Sequence, residues 1–184
     1  MKLLSYLFVL AFLFVLVACS QVEDSTPVLP QDEITLSKVP VPFKATLEGL
    51  AIITLPPTSE CGSQLPLSTI TGSGVGTHIG KYTSELYACL VPDPTIQGKG
   101  TFINGHHSAI AANGDEMYAE WIGEYETDFT TGRVAYTFTM SFTGGTGRFV
   151  GITGEVEGNA SAPYGGPGEP KFVTAVTSGW ILFE

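Results

Sequence analysis

The chain has 184 residues and a formal net charge of -10 at pH 7, from 8 basic and 18 acidic side chains. That balance excludes a binder of nucleic-acid backbone, which needs clustered Lys and Arg, so no nucleic-acid partner is expected. It also excludes a basic patch for a membrane surface, and the length suits one domain with its own core plus flanking sequence.

The chain starts with Met1-Lys2, and from Leu3 to Val17 Ser5 is the one clearly polar residue. A spanning helix needs roughly 20 apolar residues, so this shorter run reads as the apolar core of a signal peptide. It ends at Leu16-Val17-Ala18-Cys19, which resembles the lipobox of bacterial lipoproteins. The resemblance implies cleavage before Cys19 and lipid on that cysteine, with more than one acyl chain for stable anchoring. The expected partner is therefore a membrane, and the expected location is the cell envelope after export. Ser20 rather than Asp follows the cysteine, which points to the outer membrane if the cell is Gram-negative.

Between Ser20 and Pro42 the composition changes. Pro27, Pro30, Pro40 and Pro42 interrupt it, and Glu23, Asp24, Asp32 and Glu33 make it acidic. Proline removes a donor and fixes φ, so an extended tether is expected, with at most a short strand near Ile34–Leu36. The expected organisation is a signal peptide over 1–18, a lipidated N-terminus and tether over 19–42, and a folded domain over 43–184.

Strand signals fill that domain. Candidate strands are Phe43–Leu55, Thr69–Thr77, Lys81–Leu90, Lys99–Gly105 and Ser108–Ala112, then Asp115–Tyr125, Arg133–Thr143, Ile152–Ala160 and Phe172–Phe183. In Arg133–Thr143 the residues Val134, Tyr136, Phe138, Met140 and Phe142 alternate with shorter or polar ones, which predicts one buried face. In Asp115–Tyr125, Met117, Ala119, Trp121 and Tyr125 share a face, with Glu116, Glu120 and Glu124 on the other. Asn113-Gly114 before it predicts a hairpin turn with both residues at positive φ. Near-regular strands without helical periodicity predict an all-β domain, an antiparallel barrel of about eight strands whose closure removes exposed edges.

Cysteine counting adds a staple. With Cys19 lipidated, Cys61 and Cys89 remain as an even pair, and an oxidising compartment favours a disulfide between them.

Gly144-Gly145-Thr146-Gly147-Arg148-Phe149-Val150-Gly151 carries a family likeness, together with Ala111–Glu116 and Gly76–Tyr82. These stretches resemble bacterial secreted proteins related to the allene oxide cyclase and dirigent barrels. The resemblance implies an eight-stranded barrel with a partly apolar interior, and relatives that act on or orient hydrophobic substrates, some of them oligomers. Physically, the Gly-rich stretch reads as a tight corner, with Arg148 capping and Phe149 plugging a barrel end. It does not match a phosphate-binding loop.

Catalytic motifs are absent. His106 and His107 are neighbours on a strand, so they point to opposite faces and share a metal poorly. They read as surface or loop residues, as does His78, and neither a metal nor a cofactor is implied. Glu48 and Glu85 are the carboxylates whose burial would favour an enzyme. The candidate ligand-lining residues are Trp121, Tyr125, Tyr136, Phe138, Met140 and Trp180, although rings of this kind more often fill a small barrel, and a packed interior is expected. The leading expectation is a non-enzymatic binding or interaction module for a small apolar ligand or an envelope partner. A cofactor-independent cyclase or isomerase and a purely structural envelope protein are the alternatives.

Overall fold

The structure, a computed structural model, describes residues 38–184. The signal peptide, the lipid anchor at Cys19 and the short strand near Ile34–Leu36 lie outside the described residues.

Eight strands close into one antiparallel barrel in sequence order. They are β1 (Val41–Thr54), β2 (Leu67–Gly76), β3 (Gly80–Pro92), β4 (Lys99–Ala111), β5 (Glu116–Asp128), β6 (Arg133–Gly145), β7 (Thr153–Pro163) and β8 (Lys171–Leu182). Each pairs with its neighbour in the chain, and β1 pairs with β8 from Val41–Ile181 to Ala51–Lys171. Closure leaves no strand with an unpaired edge, which is the physical advantage of a barrel over an open sheet. The element β1 begins slightly ahead of the expected Phe43, so Val41 and Pro42 belong to the sheet. Proline is tolerated there because it sits at the start of the strand.

Two expected strands, Lys99–Gly105 and Ser108–Ala112, are one strand, β4. The register shifts between Phe102 and Gly105, where Asn104 takes φ 53°. A bulge of this kind bends a strand without ending it, and that break in alternation hid the continuity. The Asn113-Gly114 turn is also different from the expectation. Gly114 alone of the two has positive φ, at 89°. Gly114 N–H donates to Ala111 O at 2.9 Å, and Ala111 N–H donates to Asp115 O at 2.8 Å. This is a longer loop with one left-handed residue, a common hairpin alternative to the two-residue turn.

Alternation along the strands decides the core. Met117, Ala119 and Trp121 of β5, and Val134, Met140 and Phe142 of β6, are buried. Glu120 and Glu124 are exposed on the outer face of β5. The loop between β1 and β2 is held to β3 by a disulfide between Cys61 and Cys89, with Cα atoms 5.5 Å apart. Cys89 is 1% exposed, so the loop seals that part of the outer wall.

One barrel end is closed. After β6 the chain makes a single short 3-10 turn, Gly147–Phe149, and drops the Phe149 side chain to 0% exposure. Gly147 has φ 54° and its Cβ position is taken by the Asp115 carboxylate, both of which favour glycine there. Arg148 lies over the Phe149 ring, its Cζ 4.8 Å from the centroid. Its Nη2 donates to Ile79 O at 3.1 Å, and its Nε lies 3.6 Å from Asp115 Oδ2. The Gly-rich stretch thus folds as a corner that caps the barrel, with Ile152 and Ile181 also fully buried at this end.

Candidate functional site

The barrel interior is hollow. A chamber of about 340 Å³ runs from Phe43, Ile79 and Phe142 at the closed end to Gln97, Phe129 and Tyr164 at the other. This overturns the expectation of a packed interior. Eight strands give a bore that side chains can just fill, so interior side-chain size decides the outcome. Here β1, β2, β7 and β8 turn short residues inward, among them Ala51, Ser68, Ala160 and Ala175. Ala160 and Ala175 are direct cross-strand partners, so their short side chains combine into one recess.

The other half of the wall is aromatic. Phe102 on β4 stands at the centre, with ring centroids 5.3 Å from Trp121, 5.5 Å from Tyr125 and 5.8 Å from Tyr136. Trp121 meets Phe138 edge-on at 6.1 Å. Glycines on neighbouring strands make the room. A Cβ on Gly158 would lie 2.2 Å from the Phe138 ring, and one on Gly105 would lie 2.2 Å from Trp121 O. Trp121 Nε1 donates to His106 O at 3.2 Å, which satisfies the one polar atom of the indole.

Of the expected ligand-lining residues, Trp121, Tyr125, Tyr136, Phe138 and Met140 all line this chamber. Trp180 does not. It pairs with Glu155 and Pro42, faces outward and is 44% exposed. The reason is parity: the inward residues of β8 include Val173 and Ile181, and Trp180 is one step out of phase.

His107 is the site residue that sequence reasoning missed. It was expected at the surface or in a loop, and it faces inward on β4 with Leu86 and Ala119 beside it in register. It is half-buried and lines the chamber. His106, the next residue, faces outward beside Tyr87, with rings 5.0 Å apart. Alternation alone had separated the two histidines but could not say which was inside, because the β4 bulge resets the phase. His78 sits in the β2–β3 turn at φ 65° and is exposed.

Ser84 of β3, itself buried, lies 2.7 Å from His107 Nε2. His107 Nδ1 is enclosed and has no hydrogen-bond partner. The assignment with fewest unpaired groups has Ser84 Oγ–H donating to Nε2 and the ring proton on Nδ1. Desolvation disfavours the imidazolium and pushes the His107 pKa from 6.5 down to about 4. The ring is therefore neutral at physiological pH. Burial also pushes Tyr82 up to about 12, and it raises Tyr125 and Tyr136. The phenols stay protonated, and Tyr82 Oη donates to Thr46 O at 2.9 Å.

Among the described residues the chamber's one lining carboxylate is Glu169. Glu48 and Glu85 are exposed on the outer face, contrary to the arrangement that would favour acid–base chemistry. Glu169 and Lys171 stand at the open end, paired at 2.7 Å. Among the described residues no group of three His, Cys, Asp or Glu side chains is placed to hold a metal ion.

The open end is framed by two loops. Phe129, after β5, and Tyr164, after β7, meet edge-on at 5.5 Å, and both are exposed. A Cβ on Gly98 would lie 2.8 Å from the Phe129 ring, so a glycine lets that ring lie close to the β3–β4 loop. The β1 strand begins at the opposite, closed end. No family model matches this chain, and no curated protein or solved structure matches it either.

Proposed function

We propose that the protein is a lipid-anchored, exported envelope protein whose barrel binds a small apolar molecule. One observation carries the reading: a chamber of about 340 Å³, walled by aromatic and aliphatic side chains and open at one end. Pockets of this size and lining suit small ligands held mainly by apolar burial. The disulfide supports the exported location, since such bonds persist in oxidising compartments. The Leu16–Cys19 stretch supports the anchor through its lipobox resemblance.

The ligand part is tested by native mass spectrometry of the purified protein. A small molecule bound one per chain is expected. An empty chamber that also takes up no apolar fluorophore such as N-phenyl-1-naphthylamine overturns it. The anchor part is tested by metabolic labelling with a palmitate analogue. Label on the wild-type chain that vanishes in Cys19→Ser supports it, and an unlabelled wild-type chain overturns it.

A second reading, a cofactor-independent isomerase or cyclase, has the Ser84–His107 pair in its favour. The resemblance to allene oxide cyclase barrels points the same way. The pair lacks the orienting group that a hydrolytic triad uses, because His107 Nδ1 has no partner. Turnover of an apolar substrate, lost in His107→Leu with binding retained, would select this reading over simple binding.

A further inference from the structure

The chamber's two halves differ in chemistry. Strands β4, β5 and β6 supply Phe102, Trp121, Tyr125, Tyr136 and Phe138. Strands β8, β1 and β2 lie across the bore, because the barrel closes in sequence order. Together with β7 they contribute a single aromatic ring, Phe43, and that ring sits at the closed end. Their share of the middle is short or aliphatic: Ala51, Ile70, Ala160, Val173 and Ala175. An occupant therefore meets π-faces and ring edges on one side and methyl groups on the other.

Charge is arranged as one-sidedly as shape. Among the described residues no Lys or Arg lines the chamber below its rim. The rim cation, Lys171, is already paired with Glu169 at 2.7 Å. The one deep basic group is His107, whose Nε2 is occupied by Ser84. An anion inside would lose its hydration and gain no cation in return, which disfavours its entry. A cation would find no buried carboxylate, since Glu48 and Glu85 face outward.

We infer that the chamber selects a flat, uncharged, π-bearing molecule, an aromatic or conjugated one, lying against the Phe102–Trp121 wall with its other face on the Ala160–Ala175 recess. This inference rests on the proposed ligand-binding reading. It narrows the ligand from apolar molecules in general to one class, and it sets aside the acyl-chain carboxylates that a merely greasy pocket would also take. The hydroxyls of Tyr125 and Tyr136 provide hydrogen-bonding groups for a single polar substituent, and neither phenol ionises near neutral pH.

The test uses the full chain in lipid nanodiscs, titrated calorimetrically against three probes with empty nanodiscs subtracted. The probes are 2-naphthol, its saturated counterpart trans-2-decalol, and 2-naphthoate. Aromatic contacts predict that 2-naphthol binds about fivefold more tightly than the decalol. The unpaired charge predicts that 2-naphthoate binds on the order of 100-fold more weakly than 2-naphthol. Equal affinity for 2-naphthol and the decalol overturns the π-selection and leaves the ligand chamber standing. Equal affinity for 2-naphthol and 2-naphthoate overturns the charge selection in the same way. Binding of none of the three overturns the ligand-chamber reading itself. Ala160→Leu and Ala175→Leu place a side chain in the recess and should each abolish 2-naphthol binding. Unchanged 2-naphthol binding in both folded variants overturns the placement. If either variant fails to fold, the three-probe comparison on the wild-type chain decides by itself.

Discussion

Among the described residues Ser84 and His107 form the one side-chain pair that joins a hydroxyl to an imidazole inside the barrel, with Oγ 2.7 Å from Nε2. The pair is polar and set in an apolar wall, with Ser84 buried and His107 half-buried, and the second ring nitrogen is enclosed without a partner. Buried polar groups cost free energy unless bonded, so this half-satisfied pair has measurable consequences.

The first is a pH dependence of stability. The His107 pKa falls from 6.5 in the unfolded chain to about 4 in the folded one. Between those values the unfolded chain binds the proton and the folded chain does not, so stability rises with pH through this window. Going down from pH 7, stability is full above about 6.5 and declines until about 4, by on the order of 3 kcal/mol. Urea denaturation midpoints measured from pH 7 to pH 4 should show the decline. His107→Leu should flatten the decline above about pH 5, because the carboxylates held below their ordinary values, Glu60 and Glu169 from 4.5 and Asp93 and Asp128 from 3.8, lose their contribution only below about that pH.

The second concerns coupling. Ser84→Ala leaves Nε2 buried without its donor and should cost about 1–3 kcal/mol. Ser84→Ala with His107→Leu removes both polar groups and should cost less than the two single effects summed. A double-mutant cycle by chemical denaturation should give a coupling of about 0.5–3 kcal/mol. A coupling of zero would mean the 2.7 Å contact contributes nothing.

The third addresses the closed end. Phe149 has no exposure, and Phe149→Ala should destabilise by about 3–5 kcal/mol by opening a cavity under the corner. Arg148→Ala should cost far less, about 1 kcal/mol, because its Asp115 contact is partly solvated and its ring contact modest. Thermal melts of both variants check the ranking.

The fourth addresses the staple. The bond between Cys61 and Cys89 spans a sequence separation of 28. Loop-closure entropy for that length predicts a loss of about 3–4 kcal/mol on removal. Melting the Cys61→Ala/Cys89→Ala variant beside the wild type measures it. A fall without loss of the barrel's circular dichroism at 20 °C is expected, since the barrel closes through backbone pairing of all eight strands.

Much of the barrel was readable from residue order alone. Val134 to Phe142 alternate without interruption, so the buried face of β6 follows from period-two geometry. The same holds for Met117, Ala119 and Trp121 on β5. The reading failed where alternation was interrupted or one residue out of phase. The bulge near Asn104 split β4 in two and concealed that His107 points inward. Trp180 looked like a core residue by type, but parity on β8 puts it outside.

The chain's order of residues thus determined seven of the eight strands and their hairpin sequence, because those depend on local geometry, while counting only suggested the pairing of Cys61 with Cys89, which the 5.5 Å between their Cα atoms decides. Only the tertiary structure decided whether the bore was solid or hollow. That depends on which side chains converge across strands far apart in sequence: Phe102, Trp121 and Phe138 on one side, Ala160 and Ala175 on the other. The same convergence fixed the state of His107. An imidazole on a strand is ordinary, and it becomes a neutral group in a chamber only when eight strands close around it.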